Sequence, residues 1–169
     1  MDPLERLVAI EAIKNVKARY WYAMDMKDWA ALEGVFTEDA IFDMRAEREF
    51  SEGRPADGLP SPEDAIAAGD QAVIVGAAAI ADFIRTVVED WKTVHHGHAP
   101  IIEVDEPDRG TAIWPLFDYI DDGERALKGY GHYHEEYRRE GHRWLISRVL
   151  LTRIRADGQY PSAKRLVQA

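Results

Sequence analysis

The segment TVHHGHAPIIEVDEPDRGTAIWPLFDYIDDGERALKGYGHYHEEYRREGHRWLISRVLLTRI, which runs from Thr93 to Ile154, decides the fold. Apolar and aromatic residues recur along it, and short turn sequences rich in glycine and acidic residues interrupt it. The turns fall at 106–110, 121–123 and 140–141. This arrangement predicts four consecutive strands. The strands cover 93–104, 111–120, 127–138 and 144–154. Strands joined by such short turns pair in an antiparallel sheet.

The half of the chain before this segment is mainly helical in pattern. Helices are expected from Leu4 to Met24 and from Ala77 to about Trp91, and Asp28 can cap a short helix between them. A turn is expected at 37–39, followed by a short strand at 40–44. Helices that come mostly before the strands indicate the α+β class. A strongly bent sheet with the helices packed in its concave face would enclose a pocket.

Residues 45–71 interrupt this order. The segment contains three prolines and three glycines, so it reads as a long loop inserted into the domain. Such a loop could be a lid or a partner-binding segment, and it could equally be an ordered surface insertion. The chain of 169 residues suits a single domain over 1–169. A tail from about 157 is expected to fray or to pack on a partner.

Composition excludes several classes of function. The net charge of −10 disfavours contact with nucleic-acid phosphates. The absence of cysteine excludes disulfides and thiolate chemistry. No apolar run approaches the roughly 20 residues that span a bilayer, and the start of the chain lacks the features of a signal peptide. A cytoplasmic protein without membrane contact is therefore expected.

Three stretches carry a family resemblance. YWYAMDMKDWAALEGVFTEDAIFD runs from Tyr20 to Asp43, GYGHYHEEY covers 129–137, and WLISR covers 144–148. In order and content they resemble the SnoaL-like (nuclear transport factor 2-like) superfamily. The resemblance implies a cone-shaped α+β barrel. It leaves the activity open, because the superfamily includes dehydratases, dehydrochlorinases, isomerases, polyketide cyclases, dioxygenase small subunits and proteins without catalysis.

The resemblance implies a catalytic pair. Several lyases of this fold use an Asp at the end of the first helix and a His on the strand after the third helix, which match Asp25 and His95. Members similar to bile-acid dehydratase carry a Tyr five residues before that Asp, as Tyr20 does. Dehydrochlorinase-like members have a Lys there instead. Scytalone dehydratase-like members add a His on the following strand, where this chain has Trp114.

Strand geometry makes the clustered histidines alternatives. His95 and His96 point to opposite faces of a strand, whereas His96 and His98 share a face. A bulge at Gly97 would change this order. His95 is favoured because it matches the family position. No metal is expected, since residues along one strand splay apart instead of converging on an ion.

Further side chains are candidates for contact with a substrate. They are Tyr22, Trp114, His98, His132 and Arg148. Tyr22 is an alternative to Tyr20 as the donor to a carbonyl oxygen. Trp114 fits a pocket wall or the core, and Arg148 fits a pocket arginine or a surface salt bridge. His132 shares a face with His134, either the concave or the solvent side of the sheet.

These features together predict a lyase of the dehydratase type, or an isomerase, that needs no cofactor. Its substrate would be a small apolar cyclic ketone, with His95 as general base and Asp25 as its orienting partner. A ligand-binding or assembly module of the same fold, without catalysis, is the alternative. Self-association as a dimer or trimer is expected. A dioxygenase small subunit is a third possibility and would require a large partner chain.

Overall fold

The computed structural model describes residues 1–161, which form five helices and seven strands in that range. The helices are α1 (Pro3–Met26), α2 (Trp29–Glu33), α3 (Arg45–Ser51), α4 (Pro62–Ala67) and α5 (Ala77–Val88). The strands are β1 (Phe36–Asp43), β2 (Val73–Val75), β3 (Lys92–Gly97), β4 (Ile101–Glu106), β5 (Arg109–Asp121), β6 (Ala126–Glu140) and β7 (Arg143–Gly158).

All seven strands belong to one curved, unclosed sheet in the order β2-β1-β7-β6-β5-β3, and β4 also pairs with β5. The pairs are antiparallel except for β1 with β7. Helix α1 lies against β3, β4 and β7. This arrangement confirms the predicted α+β fold with helices in the concave face of a bent antiparallel sheet.

Alternation along β5 and β6 separates the inside of the cone from the outside. In β6, Tyr133, Glu135 and Tyr137 are buried, whereas His134 and Glu136 alternate with them on the outer side. Neighbouring side chains of a strand point to opposite faces, so the buried set faces α1. The interior therefore contains charged and phenolic groups among its apolar residues.

Two sequence-based boundaries need correction. The turn expected at 37–39 is part of β1, whose register with β7 shifts between Phe36 and Ile41. The strand expected over 93–104 is two strands, β3 and β4. Pro100 separates them, because a proline has no N–H to continue a ladder. The short strand β2 was not predicted.

The segment 45–71 contains α3 and α4, so it is the ordered insertion that was one of the two alternatives, and its reading as a long loop was wrong for these two helices. Arg45 makes a buried ion pair with Asp43 at 2.6 Å and donates to the Pro60 carbonyl at 3.0 Å. Charged anchors of this kind replace the apolar periodicity that would have revealed the helices.

Part of the predicted tail also packs on the domain. The Tyr160 hydroxyl donates to Glu47 of α3 at 2.9 Å. The remainder of the tail, 162–169, lies outside the described residues. None of the helices within residues 1–161 is both long enough and apolar enough to cross a bilayer.

Candidate active site

Asp25 and His95 form a hydrogen-bonded pair around which the candidate site is built. Nδ1 of His95 lies 2.7 Å from Oδ1 of Asp25, and the His95 backbone N–H donates to Oδ2 at 2.9 Å. The Asp25 side chain is 24% exposed and that of His95 6%. Because Nδ1 faces the carboxylate, it carries the proton of the neutral ring, and Nε2 is the nitrogen that can accept another.

The end of α1 and the start of β3 hold Asp25 in this position. Lys27 ends the helix in a left-handed conformation with φ 61°. Its Nζ donates to Thr93 Oγ1 at 2.9 Å, and that hydroxyl donates to Asp25 Oδ1 at 2.9 Å. Burial opposes ionisation of Asp25, but the interactions with His95 and Thr93 outweigh it and lower the pKa of the carboxyl. Asp25 is therefore a carboxylate that can stabilise a His95 cation.

Tyr20 and Tyr22 lie on opposite sides of α1. Tyr20 is completely buried, and its hydroxyl makes no hydrogen bond of acceptable geometry within residues 1–161. Burial, followed by the electrostatic effects of Tyr133 and Glu135, raises the pKa of Tyr20 well above its ordinary value, so it remains a donor. Tyr22 is 69% exposed. Its proposed place in the interior was wrong, because two residues along a helix rotate a side chain by about 200°.

A buried ion pair between Asp118 and Arg153 lies beside His95. Asp118 is opposite His95 in the register of β3 and β5. Nη1 and Nη2 of Arg153 donate to the two carboxylate oxygens of Asp118 at 2.9 and 2.6 Å. Burial opposes the charge on Arg153, but Asp118 and then Glu47 outweigh it and raise the pKa of the guanidinium. The pair is thus a charged, bidentate contact inside the cone.

Two further residues shape this ion pair. Gly129 leaves the necessary room, since a Cβ there would lie 2.1 Å from both Nη1 of Arg153 and Oδ1 of Asp118. Glu47 of α3 accepts a hydrogen bond from Nε of Arg153 at 2.6 Å and another from the Tyr160 hydroxyl. Helix α3 therefore covers the interior on the side of Arg153.

Arg148, expected as a candidate pocket arginine, points away from the interior. Its side chain is 29% exposed and makes ion pairs with Glu63 and Glu136, so the alternative of a surface salt bridge is correct. The register of β6 and β7 shifts between Glu136 and Tyr137, which reverses the inward and outward positions that follow in β7. The arginine of β7 that enters the interior is Arg153.

The other histidines lie outside the cone. His96 is exposed, and its ring centroid lies 6.1 Å from that of Phe117 on the outer face. His98 is exposed beyond the end of β3. The rings of His132 and His134 are neighbours on the outer face, at 6.2 Å. His98 and His132 were therefore wrongly expected to contact a substrate in the interior.

A buried lysine that was not predicted lies deeper in the cone. Nζ of the fully buried Lys17 donates to Oε1 of Glu135 at 2.5 Å. The other oxygen of Glu135 accepts from the Tyr137 hydroxyl, which accepts from Nε1 of Trp114 at 3.1 Å. Trp114 is thus a core residue in a buried polar chain, with its indole face inside the cone.

The Lys17 ammonium also lies against aromatic rings. It is 3.5 Å from the ring centroid of Tyr133 and 4.1 Å from that of Tyr20. Burial lowers the pKa of Lys17 to about 8 although Glu135 acts in the opposite direction. The spacing of Ile13, Lys17 and Tyr20 places Lys17 on the buried stripe of α1, and this signal could have identified it from the sequence.

A cleft of about 400 Å³ opens elsewhere on the molecule. Its walls include Arg109, Tyr137 and Arg148 but neither Asp25 nor His95. It is therefore separate from the interior site. Within residues 1–161, no three His, Asp or Glu side chains converge in a way that could hold a metal ion.

Comparison with known structures gives the same fold. A scytalone dehydratase, so named provisionally, from Novosphingobium aromaticivorans DSM 12444 is 16% identical with a TM-score of 0.71, over 94% of this chain and 92% of its own. Hexachlorocyclohexane dehydrochlorinase (LinA) type 2 is 16% identical with a TM-score of 0.71, over 94% of this chain and 94% of its own. A provisionally named aromatic ring hydroxylase from N. aromaticivorans is 24% identical with a TM-score of 0.70, over 94% of this chain and 96% of its own.

At these identities the likeness establishes a shared cone fold and leaves the reaction open. A family model supplies the class of the chain: the SnoaL-like domain matches residues 5–149. This match spans α1 through most of β7 and includes both Asp25 and His95. The protein belongs to the SnoaL-like domain family.

Proposed function

We propose that this chain is a lyase of the dehydratase type, or an isomerase, that acts without a cofactor on a small apolar cyclic ketone. The observation that carries the proposal is the contact between Asp25 and His95, 2.7 Å long and largely buried. A carboxylate that fixes one ring nitrogen makes the other a general base of suitable strength near neutral pH. The dehydratase and dehydrochlorinase names among the structural neighbours support this class.

In the proposed reaction, Nε2 of His95 removes a proton from the carbon next to the carbonyl. Asp25 stabilises the resulting imidazolium, and the Tyr20 hydroxyl donates to the oxygen that becomes an enolate. Loss of halide as an anion from the neighbouring carbon, or of a hydroxyl as water after it takes the proton from the His95 imidazolium, completes an elimination. Return of the proton to a different carbon gives an isomerisation. The Tyr20 hydroxyl suits this role because it is buried and makes no hydrogen bond of acceptable geometry within residues 1–161; the neighbouring Tyr133 hydroxyl is its one electrostatic partner of the hydrogen-bonding kind in that range.

The test measures the first step alone. Exchange of the α-protons of 1-tetralone for deuterium, followed by NMR in D₂O, reports proton abstraction without requiring the physiological substrate. We expect wild type to accelerate exchange and Asp25→Asn and His95→Gln to lose about 100-fold or more, as is usual when a general base is removed. His96→Gln is the matched control, since this neighbour is exposed on the outer face. Equal exchange rates in all four proteins would refute the proposal.

The outer face of the sheet favours the rival proposal, a non-catalytic assembly module, and is also where we place self-association. Phe117 lies between the rings of His96 and Tyr130 at 6.1 and 5.4 Å, and Ile154 is 68% exposed nearby on β7. Phe117 and Tyr130 are half-buried, and partly exposed aromatic residues beside an exposed isoleucine are typical of interfaces. Light scattering should give a dimer or trimer for wild type and a smaller species for Ile154→Asp. A wild-type monomer would remove this proposal.

A further inference from the structure

The guanidinium of Arg153 has a second binding position that the chain fills with its own carboxylate. Asp118 accepts hydrogen bonds from Nη1 and Nη2 at the end of the guanidinium. Glu47 accepts a hydrogen bond of 2.6 Å from Nε, which lies on the adjacent side of the guanidinium. A guanidinium offers its side as well as its end to a planar carboxylate. Glu47 uses that side through one oxygen only, because its other oxygen accepts from Tyr160.

Glu47 differs from Asp118 in how it reaches the interior. Asp118 belongs to β5, in the middle of the sheet, and is fixed by pairing with β3 and β6. Glu47 belongs to α3, a helix of seven residues in the insertion, and enters from outside the cone. A contact that depends on a short surface helix is easier to replace than one that is built into a central strand.

We infer that Glu47 occupies a subsite for the carboxylate of the substrate. When Glu47 withdraws, the Nε side of Arg153 and the Tyr160 hydroxyl are left as hydrogen-bond donors. Two donors facing one point require acceptor oxygens, and the cationic one favours an anion. Asp118 remains in place and keeps Arg153 from becoming an uncompensated buried charge. An incoming carboxylate restores the balance of charges that Glu47 provides.

The inference rests on the proposed function for the reacting group and extends it to the class of substrate. His95 and Gly129 are two strands apart, and the guanidinium of Arg153 lies over Gly129. With about 4.8 Å between neighbouring strands, the backbones at His95 and Gly129 are roughly 10 Å apart, and Asp118 lies on the strand between them. The rings of Tyr20 and Tyr133 lie in the same interior. The substrate class is therefore a cyclic keto acid with an apolar body.

The test compares binding of 2-naphthoate with that of its neutral analogue 2-naphthamide, followed by fluorescence at equilibrium. Glu47→Gln should bind the carboxylate about tenfold or more tightly than wild type, which is the size of one regained charge-assisted hydrogen bond. Affinity for the amide should be unchanged. Glu49→Gln is the matched control, because it makes the same change on the same helix at a residue paired with Arg54.

A second variant keeps the inference testable if Glu47→Gln does not fold. Glu47→Asp retains the charge but draws the carboxylate back by one methylene, so it should also tighten binding of 2-naphthoate, by a smaller factor. The inference is overturned if neither variant gains carboxylate-selective affinity, or if the amide gains as much as the carboxylate. Binding is measured without turnover. A chain that binds the carboxylate as expected but shows no proton exchange would refute the proposed lyase and leave this subsite in place.

Discussion

Removal of the buried Lys17 ammonium is the sharpest test of how the interior is stabilised. Lys17 and Glu135 are both fully buried and 2.5 Å apart. Lys17→Met fills a similar volume and keeps a side chain that packs well on aromatic rings. It leaves Glu135 in the core with a single remaining hydrogen bond, from Tyr137. The variant thus isolates the cost of an unpaired carboxylate from the cost of a cavity.

The expected loss is large for one substitution. Breaking a buried ion pair by removing one partner costs about 3–5 kcal/mol. For a domain of this size, each kcal/mol corresponds to about 2–4 °C in Tm, so Tm should fall by about 6–20 °C. Lys17→Met/Glu135→Gln should recover most of this loss, because Gln removes the charge and still accepts from Tyr137. Lys14→Met, which removes an exposed lysine of the same helix, should change stability by less than about 1 kcal/mol.

Urea unfolding followed by circular dichroism, with Tm measured in parallel, decides the matter. Two results would contradict the predicted cost of the unpaired carboxylate. In one, Lys17→Met loses no more than the Lys14→Met control. In the other, the double variant is as unstable as Lys17→Met alone. That result would mean that the lost packing of the lysine stem, and not the unpaired Glu135 carboxylate, accounts for the loss of stability.

Three further predictions follow from the same contacts. Between pH 8 and 10 the free energy of unfolding of wild type should rise relative to Lys17→Met/Glu135→Gln, by up to about 3 kcal/mol. The pKa of Lys17 is about 8 in the folded chain and near 10.5 in the unfolded chain, so the unfolded chain binds more protons in this range. A difference that does not change with pH in urea titrations would contradict this. The lowered pKa of Asp25 contributes stability that is present above pH 4 and is lost as pH falls through the folded pKa, so the advantage of wild type over Asp25→Asn should shrink in acid unfolding series. Gly129→Ala should lower the free energy of unfolding by about 1–3 kcal/mol, since its Cβ would lie 2.1 Å from atoms of the Arg153–Asp118 contact. Gly34→Ala is the control and should be nearly neutral in thermal unfolding, because its Cβ would meet nothing closer than 3.4 Å.

Periodicity predicted most of the fold because it reports directly on burial. The bounds of α1 and of the long strands lie close to the predicted ones, and the acidic and glycine turns end the strands where expected. Two of the short elements escaped, β2 with three residues and α3 with seven, whereas the caps Asp28 and Ser61 indicate the starts of α2 and α4. Elements of that length contain too few positions for a period to show, and ion pairs such as Arg45–Asp43 stabilise them in place of an apolar face.

The candidate site was only partly visible for a different reason. Asp25 and His95 come together through family position and strand alternation, both of which a sequence carries. Asp118 was also visible in principle, since it falls on the buried alternation of β5 between Leu116 and Ile120. Arg153 was not, because the register shift at Glu136 in the pairing of β6 with β7 reverses the alternation, and a shift depends on the partner strand.

The buried charges argue that the interior is more than a structural core. Lys17 with Glu135, and Arg153 with Asp118 and Glu47, are ion pairs enclosed in the cone. Apolar residues of similar volume would stabilise such a core at least as well, because desolvation offsets most of the attraction between buried charges. Lys17 lies against the rings of Tyr20 and Tyr133, Asp118 and Arg153 act electrostatically on Tyr133, and Asp118 is opposite His95. Charges that contribute little to stability but lie beside a His–Asp pair and a buried phenol are typical of a functional site.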